Sequence, residues 1–162
     1  MGELPAYRGI HHIGITVPDL AEAEEFFLGA LGCTVEYREG PYTNDDTNWM
    51  ALELGAHSNS TLISSVIADK SGTVIELLEY QTPGQPATTA PPTTHNSACH
   101  VALTVDNVQD AIDHLAGDPR VKFLRGPSVI HGGPTDGLKW IYCVAPWGLA
   151  LELMELPEQL RK

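Results

Sequence analysis

The sequence predicts an α+β chain built from two tandem βαβββ modules, and three observations carry that prediction. The segment HIGITVPDLAEA (12–23) matches HVALTVDNVQDA (100–111) class for class, both threonines included. A second pair, GTVIELLE (72–79) and GLALELME (148–155), comes farther along in the same order. Internal self-similarity of this kind marks a duplicated unit. Finally, each half holds one stretch of helical period flanked by stretches that alternate with period 2.

In the first module, His12 to Val17 alternates a small or polar face (His12, Gly14, Thr16) with an apolar one (Ile13, Ile15, Val17), the pattern of a half-buried strand. Pro18 ends it, and Asp19 is placed to N-cap the next element. Leu20, Ala23, Phe26, Phe27, Ala30 and Leu31 recur at helical spacing, with Gly32 as the stop. Strands are expected at Cys33 to Glu39, Thr61 to Ala68 and Thr73 to Tyr80. The stretch Asp45 to Leu54 reads as a short helix or a loop. The second module repeats the order: a strand at His100 to Val105, a helix from about Val108 to Leu115, then strands near Val121 to Leu124, Leu138 to Val144 and Ala150 to Leu156. Gln81 to Asn96, rich in Pro and Thr, is a connecting segment. The 162 residues thus form one domain, with module 1 at about 9–80, a linker at 81–96 and module 2 at about 97–156. A four-stranded module cannot leave its apolar face in water, so the two copies are expected to pack together.

Composition narrows the function classes. Nine Lys and Arg against twenty-one Asp and Glu leave a formal charge of -12, which repels phosphate backbones and anionic lipid. Nucleic acid and membrane are therefore not expected partners, and a small molecule is. Three isolated cysteines without CxxC spacing argue against a disulfide framework and for a reducing cytoplasm. Neither a leader nor a membrane span is expected from the apolar patterning.

The duplicated strands carry a chemical oddity. Glu76 sits on a face with Val74 and Leu78, while Ile75 and Leu77 form the other; Glu152 stands likewise between Ala150 and Met154. A carboxylate in such surroundings needs a partner, and His12 and His100, on the small-residue faces of the first strands, are candidates to supply it. A lone histidine near a strand start is ordinarily structural, and a lone Glu in an apolar strand is ordinarily an edge charge. Four such residues at matching positions of two repeats point instead to a divalent metal ion. Imidazole nitrogen with carboxylate oxygen suits Zn, Ni, Co, Mn or Fe(II) and excludes a thiolate site. His11, His57, His95 and His114 lack the symmetry and read as surface residues.

At these residues the chain resembles the vicinal oxygen chelate superfamily, which includes glyoxalase I, methylmalonyl-CoA epimerase, extradiol dioxygenases, and fosfomycin- and bleomycin-resistance proteins. The carriers are HHIGITVPDLAEAEEFF, VIELLEYQTPG, CHVALTVDNVQDAIDHL and KWIYCVAPWGLALELMEL. The customary Asp of the last turn is missing, since the turn reads Ala145, Pro146, Trp147, Gly148, which is expected to loosen it. The resemblance implies that the modules form a cupped mixed sheet around a metal held by His12, Glu76, His100 and Glu152, in a homodimer. It also implies proton transfer at a carbon next to a carbonyl through a metal-stabilised enediolate, by an isomerase or epimerase acting on a small hydroxyketone. Glu152 and Glu76 are then ligands with a second role as acid and base. A glyoxalase I-type lyase on a thiol adduct, an Fe(II) extradiol-type dioxygenase and a metal-free ligand-binding or resistance protein are the alternatives.

Trp140 and Tyr142 alternate with Lys139 and Ile141 and so share one side of their strand, which the resemblance makes the lining of the cup and a substrate contact. Trp49 and Met50 either cover its mouth or belong to the core. The run Ser128 to Gly137 is a flexible lid or an ordinary hairpin connection, and within it His131 is a catalytic candidate. Anionic thioesters and glutathione adducts are normally held by Arg or Lys. Only five Arg and four Lys exist here, which favours a neutral or weakly charged, sugar-like substrate.

Overall fold

A computed structural model describes residues 8–85, 91–96 and 98–161. Residues 1–7, where no leader is expected, and 86–90 of the connecting segment lie outside the described residues. The chain divides into two compact units, 1–87 and 88–162, with the division inside the predicted linker. Among the described residues no helix is long and apolar enough to cross a membrane.

The first unit runs β1 (Ile13–Thr16), α1 (Leu20–Gly29), β2 (Thr34–Thr43), α2 (Trp49–Leu54), β3 (Thr61–Ala68) and β4 (Val74–Gln81). Its sheet has the order β1-β4-β3-β2, parallel between β1 and β4 and antiparallel elsewhere. Asp19 caps α1 as expected, its Oδ1 accepting the Glu22 N–H at 2.9 Å. The helix stops two residues earlier than its apolar spacing suggests. Ala30 donates to the Phe26 carbonyl, and Gly32 at φ +69° turns the chain so that Cys33 donates to the Phe27 carbonyl. Leu20, Ala23, Phe26 and Phe27 are buried on the sheet face formed by Ile15, Ile67, Ile75 and Leu77.

The second unit runs β5 (His100–Thr104), α3 (Val108–Leu115), β6 (Lys122–Phe123), β7 (Ser128–Val129), β8 (Lys139–Val144), β9 (Ala150–Glu155) and a 3-10 turn at Glu158–Leu160. Its sheet is β5-β9-β8-β6, parallel between β5 and β9, with β7 also pairing to β8. Val108 and Leu115 of α3 are buried over Ile141, Cys143, Leu151 and Leu153. Each module therefore has its own mixed sheet with a helix on one face. This is the βαβββ repeat read from the sequence.

Three expectations are corrected. The strand after α1 does not end at Glu39: pairing with β3 resumes at Tyr42 and Thr43 after an irregularity at the cis Gly40–Pro41 bond. Only glycine fits at position 40, because its φ is +94° and a Cβ there would lie 2.6 Å from the Leu62 carbonyl oxygen. In the second module a cis Gly126–Pro127 bond stands at the same point and separates β6 from β7, so Ser128 and Val129 belong to the sheet and not to a lid. The turn at Ala145 is not loosened. Gly148 donates to the Ala145 carbonyl and Ala145 to that of Leu149, as Gly72 does to Asp69 and Asp69 to Thr73 in the first module. What the missing Asp removes is the side-chain layer, in which Asp69 Oδ1 accepts the Ser71 and Thr73 N–H groups.

Candidate metal centre

The parallel pairing of β1 with β4 sets Gly14 opposite Glu76, and the antiparallel pairing of β3 with β4 sets Val66 opposite it from the other side. His12 immediately precedes β1 and lies on the Gly14 side of the pleat. Its Nε2 stands 3.3 Å from Glu76 Oε2. A Cβ at Gly14 would lie 3.4 Å from Leu78 Cδ1 and 4.0 Å from Glu76 Oε2, so the missing side chain leaves the carboxylate accessible along the sheet face. The second module repeats this placement. Ala102 and Tyr142 flank Glu152, and His100 Nε2 stands 3.2 Å from Glu152 Oε2. The imidazoles are 41% and 44% exposed and the carboxylates 25% and 17%, so each pair is open to solvent on its histidine side.

The pairing that the sequence required of Glu76 and Glu152 is thus present in each module. Both carboxylates remain partly solvated, because the residues opposite them on the parallel neighbour are small. Each module by itself supplies one imidazole nitrogen and one carboxylate oxygen within about a hydrogen bond of each other, a donor set suited to a borderline divalent cation. Among the described residues no group of three or more His, Cys, Asp or Glu side chains stands together as a metal site.

The surroundings of the two pairs differ. In the second module the Tyr142 hydroxyl donates to Glu152 Oε2 at 3.4 Å, and its ring meets the His100 ring edge to face at 5.3 Å and the Trp140 ring at 5.7 Å. Burial and the neighbouring Glu152 charge raise the Tyr142 hydroxyl above the usual phenol range. Val66 occupies the corresponding place in the first module. There Tyr80, on the Glu76 face of β4, is raised by burial and by the Glu76 charge. Trp140 shares the Glu152 face, since it pairs with Met154 across β8 and β9.

Of the other candidates, Met50 is fully buried, which settles it as core. Trp49 is partly exposed and tied to the end of β2, its Nε1 donating to the Thr43 carbonyl at 3.1 Å and its ring edge-to-face with Tyr42. His131 is exposed in a hairpin connection closed by Gly137 donating to the Ile130 carbonyl and Gly132 to Asp136 Oδ1. Sequence reasoning missed two features. His11 is exposed, as its surface reading expects, but its Nδ1 also stands 2.9 Å from His12 Nδ1, a contact that only adjacency in sequence could have signalled. The last acids of the repeated strands, Glu79 and Glu155, accept the N–H of Leu20 at 2.7 Å and of Val108 at 3.0 Å, one at the start of each module's helix. Their signal was the repeat itself, in which both matched segments end in Glu.

The Glyoxalase/Bleomycin resistance protein/Dioxygenase superfamily model matches residues 9–153, and the chain belongs to this superfamily, that of the vicinal oxygen chelate proteins. A 2-epi-5-epi-valiolone epimerase from an Actinomyces species is 33% identical over 154 residues, which cover 95% of this chain and 82% of the epimerase. Among solved structures, a glyoxalase family protein from Bacillus cereus superposes with a TM-score of 0.70 at 18% identity, over 94% of this chain and 97% of that one. The fosfomycin resistance protein FosX from Listeria monocytogenes, complexed with Mn(II) and sulfate ion, gives 0.58 at 15% identity, over 94% and 96%. These structural likenesses concern the fold.

Proposed function

We propose that the protein is a divalent-metal-dependent epimerase that inverts a carbon next to the carbonyl of a small polyhydroxy ketone. His12, Glu76, His100 and Glu152 are the metal ligands in this reading. The observation that carries it is the duplicated His–Glu pair, each beside a small residue that leaves the carboxylate accessible. The 33% identity to an epimerase of 2-epi-5-epi-valiolone supports the reaction type and points to a ketone of that kind.

A hydrogen on carbon next to a carbonyl is too weakly acidic to leave near neutral pH, and inversion needs one group to take the proton and another to return it on the opposite face. A bound divalent ion supplies a Lewis acid that lowers this barrier by several kcal/mol. The chain's contribution is the pair of carboxylates. Glu76 and Glu152 are both partly desolvated and both retain an oxygen not engaged by histidine, so either can accept or return a proton at that oxygen. The small residues Gly14 and Ala102 leave room for substrate beside them. The strands carrying the pairs, β1, β4, β5 and β9, contain no Lys or Arg, and Lys139 of the adjacent β8 is held by Glu155 at 2.7 Å. That disfavours an anionic thiol adduct and suits an uncharged polyol. Trp140 offers a flat, partly polar surface on the Glu152 face, Trp49 a further aromatic contact, and His131 an exposed polar one. A homodimer in a reducing cytoplasm completes the proposal; light scattering that gives the mass of a single chain would refute the dimer.

The test is incubation of purified protein with 2-epi-5-epi-valiolone and Mn(II), Ni(II) or Co(II) in D2O. Formation of the epimer with deuterium at the carbon next to the carbonyl is the expected result, abolished in Glu152→Gln. Stoichiometric metal without any deuterium incorporation would exclude this chemistry on that ketone. Absence of metal binding by the intact protein would exclude the mechanism as a whole.

A further inference from the structure

The two His–Glu pairs are equivalent by repeat, but their cross-strand neighbours are not. Val66 faces Glu76 across β3 and β4, whereas Tyr142 faces Glu152 across β8 and β9. Among the described residues the hydrogen-bonding or ion-pair contact of the Glu76 carboxylate is His12. Glu152 Oε2 has two: His100 Nε2 at 3.2 Å and the Tyr142 hydroxyl at 3.4 Å. The same tyrosine ring supports His100 edge to face and is itself supported by Trp140.

We propose that Tyr142 is a positioning residue, and not a substrate contact: its hydroxyl and ring fix Glu152 and His100 together. The inference rests on the ligand role of Glu152 and His100 proposed above. A carboxylate at a strand position has three side-chain torsions to settle, and a second donor on one oxygen leaves the other oxygen with a defined direction. An edge-to-face ring contact likewise restricts rotation of an imidazole about its Cβ–Cγ bond. Trp140 completes a row in which each ring limits the next. The first module has no such row on its strand β3, so its pair depends on the backbone and on His11 for its direction. Of the two carboxylates, Glu152 is therefore the one held in a single orientation.

The experiment uses Co(II) alone as probe on the full chain, with affinity from calorimetry and ligand geometry from the visible d–d bands. Tyr142→Phe keeps the ring and removes the hydroxyl; Tyr142→Val copies the first module and removes both. Loss of an outer partner of a metal ligand typically weakens binding by about 10- to 100-fold. Tyr142→Phe is expected at the lower end of that range with shifted bands, and Tyr142→Val to fall further. If Tyr142→Phe folds normally and binds Co(II) with wild-type affinity and spectrum, the proposal is wrong. A raised KM for the ketone with unchanged kcat in that variant would mark Tyr142 as a substrate contact and also overturn it. Failure of the wild-type protein to bind Co(II) overturns the metal reading itself, which separates that outcome from the other two.

Discussion

Replacing Glu79 with Ala should destabilise the protein although Glu79 is neither a core residue nor part of the His–Glu pair. The first N–H groups of a helix have no carbonyl partners within it. At α1 the Glu22 N–H is covered by Asp19, and the Leu20 N–H is covered from β4 by Glu79 Oε2 at 2.7 Å. A hydrogen bond to a charged acceptor contributes about 1.5–3 kcal/mol, and a negative charge at a helix start about 0.3–1 kcal/mol. Partial exposure of Glu79 screens the charge, so a net loss of about 1–2 kcal/mol is expected for Glu79→Ala. Glu79→Gln keeps an acceptor oxygen and should lose about half as much. In a chain of this size that corresponds to a Tm lowered by roughly 3–7 °C for the Ala variant. Urea denaturation followed by circular dichroism gives the free energy, and amide exchange at Leu20 reports the bond directly. Two variants within about 0.3 kcal/mol of wild type, with Leu20 protection unchanged, would show that the bond does not tie β4 to α1.

Glu155, the equivalent residue in the second module, gives a pH prediction. The Lys139 ammonium beside it, together with the Val108 N–H, holds its carboxyl below the ordinary value of 4.5. A depressed folded-state value means that its stabilisation is complete above the unfolded value and is lost as pH falls through the folded one. Thermal melts from pH 6 to pH 3 should therefore show a loss in the acid part of that range which Glu155→Gln diminishes; parallel curves for the two proteins would contradict it. For the cysteines, Cys143 is fully buried and its thiol is pushed up to about 11 by desolvation, Cys33 is buried and raised, and Cys99 is exposed. A thiol reagent at pH 8 should label Cys99 rapidly in the native protein and all three only after unfolding; rapid native labelling of Cys143 would contradict its burial.

The parts of the fold that the sequence made legible are those whose pattern is repeated or periodic. Thr61–Ala68 and Val108–Leu115 have the predicted ends because a strand bounded by polar turns and a capped helix carry their own punctuation. Strand β7 did not, because two exposed residues joined to β8 by backbone pairing leave no side-chain pattern. The continuation of β2 past Pro41 was hidden because a Gly-Pro pair after a mostly polar strand ordinarily signals its end. At the candidate site, the His–Glu pairing was legible from the duplication, since two independent accidents at matching positions are less probable than one shared use. The roles of Glu79 and Glu155 were not, because a cap delivered from a strand about fifty residues away depends on the path of the chain. Nor was the contact of Tyr142 with Glu152, which arises from the β8–β9 register and not from the alternation along β8 alone.

Comparison of the modules separates what the architecture needs from what the chemistry needs. On the helix-covered faces the repeats agree in kind: Ile75 and Leu77 correspond to Leu151 and Leu153, and Ile67 to Cys143, all buried. The helix caps agree as well, with Asp19 and Asn107 at the ends and Glu79 and Glu155 reaching in from the last strand. On the opposite faces His12 and Glu76 agree with His100 and Glu152, and Thr16 with Thr104, while Val66 is replaced by Tyr142 and Gly14 by Ala102. Packing alone does not require a histidine and a carboxylate to keep the same register while their neighbours on that face change. If the pairs serve the reaction proposed above, that kept register is what its chemistry needs, and the unequal neighbours Val66 and Tyr142 give its two carboxylates different surroundings.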